Sequence, residues 1–340
     1  MRGAFGVGNA GKQRQNLESI RRGLLHRCEA KSRIEYLEVV HDRFHSLRPY
    51  KTMKTKIGIL IGFGACWVLS AIADDTTPVL DAPENAYWHS PSQTWFVSSL
   101  GGGLSLEEDS YGWVSRFDAA GNVLAKRWVV GMHAPTGMAS HGDYLYVADR
   151  GCVHQINIAD AKIERTISLP DSEFVNDVAA TQNGRIFVSD TATNRIYEVE
   201  GDRAVVWLES EALQNPNGLW IDNDALVVAS WGPMTDVATF ATKHPGTIMR
   251  IELDSKKIVP VGEGKPIANF DGVVTVAGKY FATDWTGGRL LSISTNGEVS
   301  VVLSGFNQLA DLGFDPDNMR LGLPVMKDNR FIILSLMSLK

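Results

Sequence analysis

Residues 175–199 read VNDVAATQNGRIFVSDTATNRIYEV, and the organisation of the whole chain follows from this stretch. It opens on Val175-Asn176-Asp177-Val178 and turns at Gln182-Asn183-Gly184. It then runs through the β-rich Arg185–Ser189 and alternates again over Arg195–Val199. Short β-branched and aromatic runs punctuated by Gly, Asn and Asp are strands joined by tight turns.

The unit recurs. Pro83–Trp88, Pro135–Met138, Pro216–Trp220, Phe270–Val274 and Leu309–Phe314 open in the same way, at intervals of roughly 40 to 55 residues. Four strands in that span is the period of a propeller blade, so the chain is expected to be all-β, a six-bladed β-propeller with four-stranded blades. No stretch past residue 74 sustains a helical period, which argues against α/β folds. The sixth unit runs out of strands near Phe331–Leu336. Residues 75–82, the N-terminal strand of the mature chain, are therefore expected to supply its fourth strand and close the ring, removing the exposed edges of an open sheet.

Charge divides the 340 residues unevenly. Residues 1–73 hold 13 of the 33 basic and 5 of the 39 acidic side chains, which leaves 20 basic and 34 acidic beyond them. A body that acidic repels phosphate backbones, so nucleic acid is not an expected partner. At the boundary, Met53-Lys54-Thr55-Lys56 precedes the apolar run Ile57–Leu69 and the triplet Ala71-Ile72-Ala73. A basic start, a short apolar run and a small-residue triplet form a secretory signal peptide, and the run is shorter than the roughly 20 residues of a membrane span. The expected organisation is residues 1–52 as an upstream extension, non-native or disordered, 53–73 as signal peptide and 74–340 as the propeller. Met53 is then the expected start, with a cytoplasmic tail on an uncleaved anchor as the alternative. The mature protein is expected in the periplasm or secreted, with no stable membrane insertion after cleavage. Cys28 and Cys66 lie before the mature body, which keeps only Cys152. That excludes an intramolecular disulfide and a cysteine metal cluster there.

In a blade the first strand is innermost, so the residue at its start faces the central channel. Read around the ring, that position holds Glu84, Thr136, Asn176, Asn217, Asp271 and Ala310. Two carboxylates brought together there repel unless a cation sits between them. Oxygen ligands alone suit a hard divalent ion, Ca²⁺ first and Mg²⁺ or Mn²⁺ next, whereas Zn²⁺ recruits His or Cys. Asn-Gly and Asp-Gly are also ordinary turn dipeptides, which leaves turn chemistry as the competing explanation of Asn217-Gly218 and Asp271-Gly272.

Over residues 80–336 the chain resembles the senescence marker protein/gluconolactonase/luciferin-regenerating (regucalcin-like) family of six-bladed propellers. The resemblance rests on a Glu starting blade one, an Asn in blade three, an Asn-Gly in blade four and an Asp-Gly in blade five. It implies a metal held by Glu84, Asn217 and Asp271, with Asn176 beside it. It also implies a metal-dependent lactonase acting on a small molecule, in which the cation polarises the ring carbonyl and Asp271 serves as general base. Asp271 and Asn176 are then the catalytic candidates. One departure matters. Sugar-lactone members carry an Arg where this chain has Phe174, and Thr191–Asn194 lacks their acidic residue. Polyhydroxylated lactones are not supported; a less polar lactone or ester fits as well. The alternative is a non-catalytic propeller that binds a small ligand or a protein and keeps the metal for structure. A strictosidine-synthase-like condensing enzyme shares the ring count, with no residue here to support it.

Five further features bear on the channel mouth. Asp149, Asp190 and Asp284 each end a second strand and are expected to cap the following turn. Trp231 and Trp285 suit a pocket wall or packing between blades. His133 could shuttle protons or be an ordinary surface residue, and with Thr136 it completes the expected substrate pocket. The insertion Gly232–Gly246 is a candidate lid. Gly101-Gly102-Gly103 lacks the Lys-Ser/Thr of a phosphate-binding loop.

Overall fold

The computed structural model describes residues 36–38, 78–102 and 110–338. Tyr36–Met337 form one compact unit; Met1–Glu35 with Ser338–Lys340 form a second, of which only Ser338 is described. The proposed signal peptide, most of the upstream extension and the loop 103–109 lie outside the described residues.

The larger unit is the expected six-bladed β-propeller. Six four-stranded antiparallel sheets follow one another along the chain, and no α-helix occurs among the described residues. Blade one, for example, runs Pro83–His89, Thr94–Ser99, Gly112–Asp118 and Val123–Met132. Blade three runs Val175–Ala180, Ile186–Asp190, Arg195–Glu200 and Arg203–Glu209. The core lies between blades. Val153 and Ile167 of blade two pack with Val178, Val188 and Tyr197 of blade three. Trp88, Trp95 and Phe117 of blade one pack with Phe331 and Ile333 of blade six. Each sheet alone would leave both faces wet, so the ring as a whole supplies the hydrophobic burial.

Ring closure differs from the expectation. The fourth strand of blade six is Tyr36–Glu38, paired antiparallel with Arg330–Ser335 in the register Tyr36↔Leu334. Residues 78–82 form no strand, and 75–77 lie outside the described residues. The reason is visible in the backbone partners. Val79 O accepts from Trp113 Nε1 at 3.0 Å and Ser115 Oγ at 2.6 Å, and Ala82 N donates to Asn329 Oδ1 at 2.8 Å. Side chains thus take the groups that a ladder needs, and Ala82 at φ +48° breaks an extended run. Leu80, 1% exposed, packs into the cluster shared by blades six and one. The segment is a wedge rather than a strand. At the axis the ring closes directly: Asp311 N donates to Glu84 O at 2.8 Å, and Asn85 bridges Asp311 in parallel.

Candidate active site

Four first strands carry the same irregularity. In blades one, three, four and five the register jumps between Pro83 and Ala86, Val175 and Val178, Pro216 and Leu219, and Phe270 and Val273. Each jump leaves one extra residue on the inner strand, a β-bulge that re-aims the side chains within it. The first residue of each bulge is Glu84, Asn176, Asn217 or Asp271, and all four line one cavity of about 100 Å³. Thr136 of blade two lines it as well. The second residues of the first two bulges, Asn85 and Asp177, line a separate cavity of about 730 Å³ together with Asp311 of blade six, reached from the far ends of the first strands.

The glycines in this ring answer to crowding. Gly218 and Gly272 sit inside strands, neither at positive φ. A Cβ on Gly218 would stand 2.4 Å from Asp271 O, and one on Gly272 would stand 1.7 Å from Asp311 Oδ1. Asn-Gly and Asp-Gly recur here because neighbouring first strands approach each other at the axis, not because the chain turns.

Glu84, Asn217 and Asp271 are 3–4% exposed. Asn217 Nδ2 donates to Asp271 Oδ1 at 2.9 Å, which turns Asn217 Oδ1 away. Asn217 Oδ1 and Glu84 Oε2 are buried without a partner, a costly state for polar oxygens. Burial, then repulsion from Asp271, Asp311 and Asp177, pushes the Glu84 carboxyl well above the usual carboxylate range. Burial and Asp311 do the same to Asp271. Orphaned oxygens beside carboxylates that resist ionising are what an oxygen-ligated divalent cation relieves, and no nitrogen or sulfur ligand stands among them. The donor set fits such an ion. Asn176 makes no side-chain hydrogen bond to another described residue and lines the cavity beside these groups.

The carboxylates that end the second strands place the loops leading into the site. Asp149 accepts from His133 N and Ala134 N at 2.9 and 2.7 Å; Asp190 accepts from Glu173 N and Phe174 N at 3.0 and 2.9 Å. Asp284 instead caps its own turn through Gly287 N at 2.9 Å. All three act as backbone caps. His133 does not reach the cavity wall; its Nδ1 accepts from Ser110 N at 3.2 Å.

Asp149 also belongs to the one group of His, Cys and carboxylate ligands, among the described residues, that could hold a metal. Its ligand atoms and those of Cys152 and His154 lie within 4.8 Å of one another. Hydrogen bonds already occupy most of them. His154 Nε2 meets Asp149 Oδ2 at 2.9 Å, Asp149 accepts three backbone N–H groups, and burial pushes the Cys152 thiol up to about 12, well away from the thiolate a metal requires.

The outer wall is aromatic. Trp231 and Trp285 stand 5.6 Å apart centroid to centroid, Trp231 and Phe240 6.0 Å, and Phe240 and Phe174 5.6 Å. Phe240 comes from the insertion, where Met234–Asp236 pairs with Ala241–Thr242. Asn215 Oδ1 accepts from Met234 N at 2.8 Å and Asn269 Nδ2 donates to Thr242 Oγ1 at 3.3 Å, so side chains hold both strands. Phe240 adopts φ +56°, strained backbone for an aromatic residue that costs about 1–3 kcal/mol. The sequence reading missed Phe240, Met234 and the lower pair Asp177 and Asp311. The only signal for that pair was their place directly after Asn176 and Ala310.

Asp177 and Asp311 bond to each other side chain to side chain. Asn85 Nδ2 donates to Asp311 Oδ2 at 2.7 Å, and Leu219 N donates to Asp177 Oδ2 at 2.6 Å. Burial pushes Asp311 up to about 7, and burial followed by repulsion from Asp311 pushes Asp177 well above the usual carboxylate range.

No protein-family model matches the chain, and no curated protein matches it in sequence. Solved structures do. A gluconolactonase from Xanthomonas campestris superposes with a TM-score of 0.59 at 15% identity, over 75% of this chain and 86% of that one. A catalytically inactive His-to-Ala variant of virginiamycin B lyase from Staphylococcus aureus, with quinupristin, gives 0.50 at 14% identity over 75% and 94%. A streptogramin B lyase gives 0.50 at 10% identity over 76% and 95%. At such identities the likeness is one of fold.

Proposed function

We propose that this propeller is a metal-dependent hydrolase of a lactone or related small ester, exported to the periplasm or beyond, of the senescence marker protein/gluconolactonase/luciferin-regenerating kind. One observation carries the reading: Glu84 Oε2 and Asn217 Oδ1 are buried and unpartnered beside Asp271, at the wall of a cavity that can admit a small molecule. A divalent cation held by Glu84, Asn217 and Asp271, Ca²⁺ first, would supply Lewis-acid polarisation of the substrate carbonyl. The other roles fall to the chain. Asn217 occupies Oδ1 of Asp271, which leaves Oδ2 to take the proton from an attacking water. The unengaged amide of Asn176 orients the substrate oxygen. The aromatic wall excludes bulk water from the reacting bond.

A lyase reading has less support. The histidine-to-alanine change in the virginiamycin B lyase variant leaves that protein inactive, whereas no histidine among the described residues lines the cavity here. The test is hydrolysis of a lactone panel followed by acid release, with chelator and then with Ca²⁺ restored. Turnover lost on chelation and recovered with the ion supports the proposal. Turnover indifferent to chelation removes the metal from it, and an inert protein that still binds the ion favours the non-catalytic propeller.

A further inference from the structure

The wall of the cavity is more specific than a lactonase needs. Four aromatic rings follow one another around it, Phe174, Phe240, Trp231 and Trp285, each within 6.0 Å of the next, centroid to centroid. Every ring meets its neighbour at 55–67°, tilted or edge-on, so the four make one continuous apolar wall. Polyhydroxylated ligands need hydrogen-bond partners at each hydroxyl, which these rings do not offer. Flat apolar ligands gain from both area and ring geometry. The size is also limiting. A cavity of about 100 Å³, at one water-sized position per roughly 10–15 Å³, holds roughly seven to ten such positions, which favours a compact ligand.

Phe240 completes this wall. It reaches the cavity only because the insertion folds back, with its carbonyl accepting from Trp231 Nε1 at 3.0 Å and its backbone at φ +56°. Neighbouring Asp236–Thr239 are exposed. The hairpin thus delivers one strained aromatic side chain into the site while the rest of its tip faces solvent.

Resting on the hydrolase reading above, we infer that the substrate is a compact aryl-fused or similarly flat apolar lactone, and that Phe240 is a specificity-determining residue for it. The apolar ring lies against Trp231, Phe240 and Phe174, with the ester carbonyl toward Asn217 and Asp271. Loss of the Phe240 ring removes binding that is equal in the ground and transition states, so it should raise KM and spare kcat.

The experiment compares wild type with Phe240→Ala and Phe240→Tyr on dihydrocoumarin, δ-valerolactone and glucono-1,5-lactone. Titration with the matching aryl lactam, which resists hydrolysis, runs alongside. The expected result is a KM for dihydrocoumarin raised about tenfold in Phe240→Ala and restored in Phe240→Tyr, with a smaller rise for δ-valerolactone. Lactam affinity should fall in parallel. A wild-type preference for glucono-1,5-lactone, or identical KM values in Phe240→Ala, overturns the inference while leaving the hydrolase reading in place. Lactam binding that depends on Phe240 without turnover of any lactone sinks the hydrolase reading and keeps the aromatic site. Near-ultraviolet circular dichroism of Phe240→Ala guards against a collapsed hairpin, with Phe240→Leu as the substitute variant.

Discussion

Asn217 Nδ2 donates to Asp271 Oδ1 at 2.9 Å, joining blades four and five at the channel axis across 54 residues of chain. The bond fixes both side chains: it aims the Asn217 carbonyl oxygen into the cavity and leaves Asp271 one oxygen for chemistry. Asp271→Asn keeps the shape and removes the base. Turnover of the best lactone should fall by about 10²–10⁴-fold, with an unchanged circular dichroism spectrum. Residual activity within a few fold of wild type would remove Asp271 from the role.

The channel should make stability depend on pH in an unusual direction. Asp311 titrates at about 7 in the fold and near ~3.9 when unfolded. Between those values the folded chain holds a proton that the unfolded chain has released, so this group's contribution falls as pH rises through the window. Glu84, Asp177 and Asp271 are shifted in the same direction. Urea unfolding of chelator-treated protein should show less stability at pH 8 than at pH 5, and Asp311→Asn should reduce the difference. A stability that climbs across that interval in both proteins contradicts the upward shift of Asp311.

Crowding at the axis leaves no room for a methyl group. Gly218→Ala would place Cβ 2.4 Å from the Asp271 carbonyl oxygen, and backbone cannot swing aside as a side chain can. The expected cost is about 1–3 kcal/mol, read as a lower urea midpoint at constant m-value, together with weaker ion binding. An unchanged midpoint would mean that the strands are further apart than described.

Cleavage after Ala73 would remove Tyr36–Glu38, the outermost strand of blade six. That strand pairs through three residues at the outer edge of its sheet. A chain beginning at Asp74 should therefore fold and keep its ion and its activity, with a Tm lower by a few degrees, as a loss of about 1 kcal/mol implies. Failure of this chain to fold would place the upstream segment among the propeller's essential parts.

The fold was legible because its signal is repeated. Six copies of a polar or small start, a turn and an alternating run give the blade count without tertiary information. The start of each first strand also pointed to Glu84, Asn176, Asn217 and Asp271. Sequence could not show that a bulge sends Asn176 and Asp177 into different cavities, because the two differ by one step along a strand whose register break is a tertiary feature. Phe240 was hidden for another reason. Its neighbours Thr239 and Ala241 are exposed, and only the fold-back of the hairpin turns it inward. The ring-closing strand was misplaced because Val79 and Leu80 look like strand residues, while Val79 O is taken by the side chains of Trp113 and Ser115 and Ala82 N by that of Asn329.

Calorimetric titration of Ca²⁺ into chelator-stripped protein asks most directly whether the three oxygen groups share a cation. Wild type should bind one ion per chain. Glu84→Gln, which keeps the shape and deletes one negative charge, should bind it at least about tenfold more weakly, as removal of a charged ligand from a hard-ion site requires. Equal affinity in the two proteins, or no binding heat in wild type over an accessible range with Mg²⁺ and Mn²⁺ equally silent, would contradict the account.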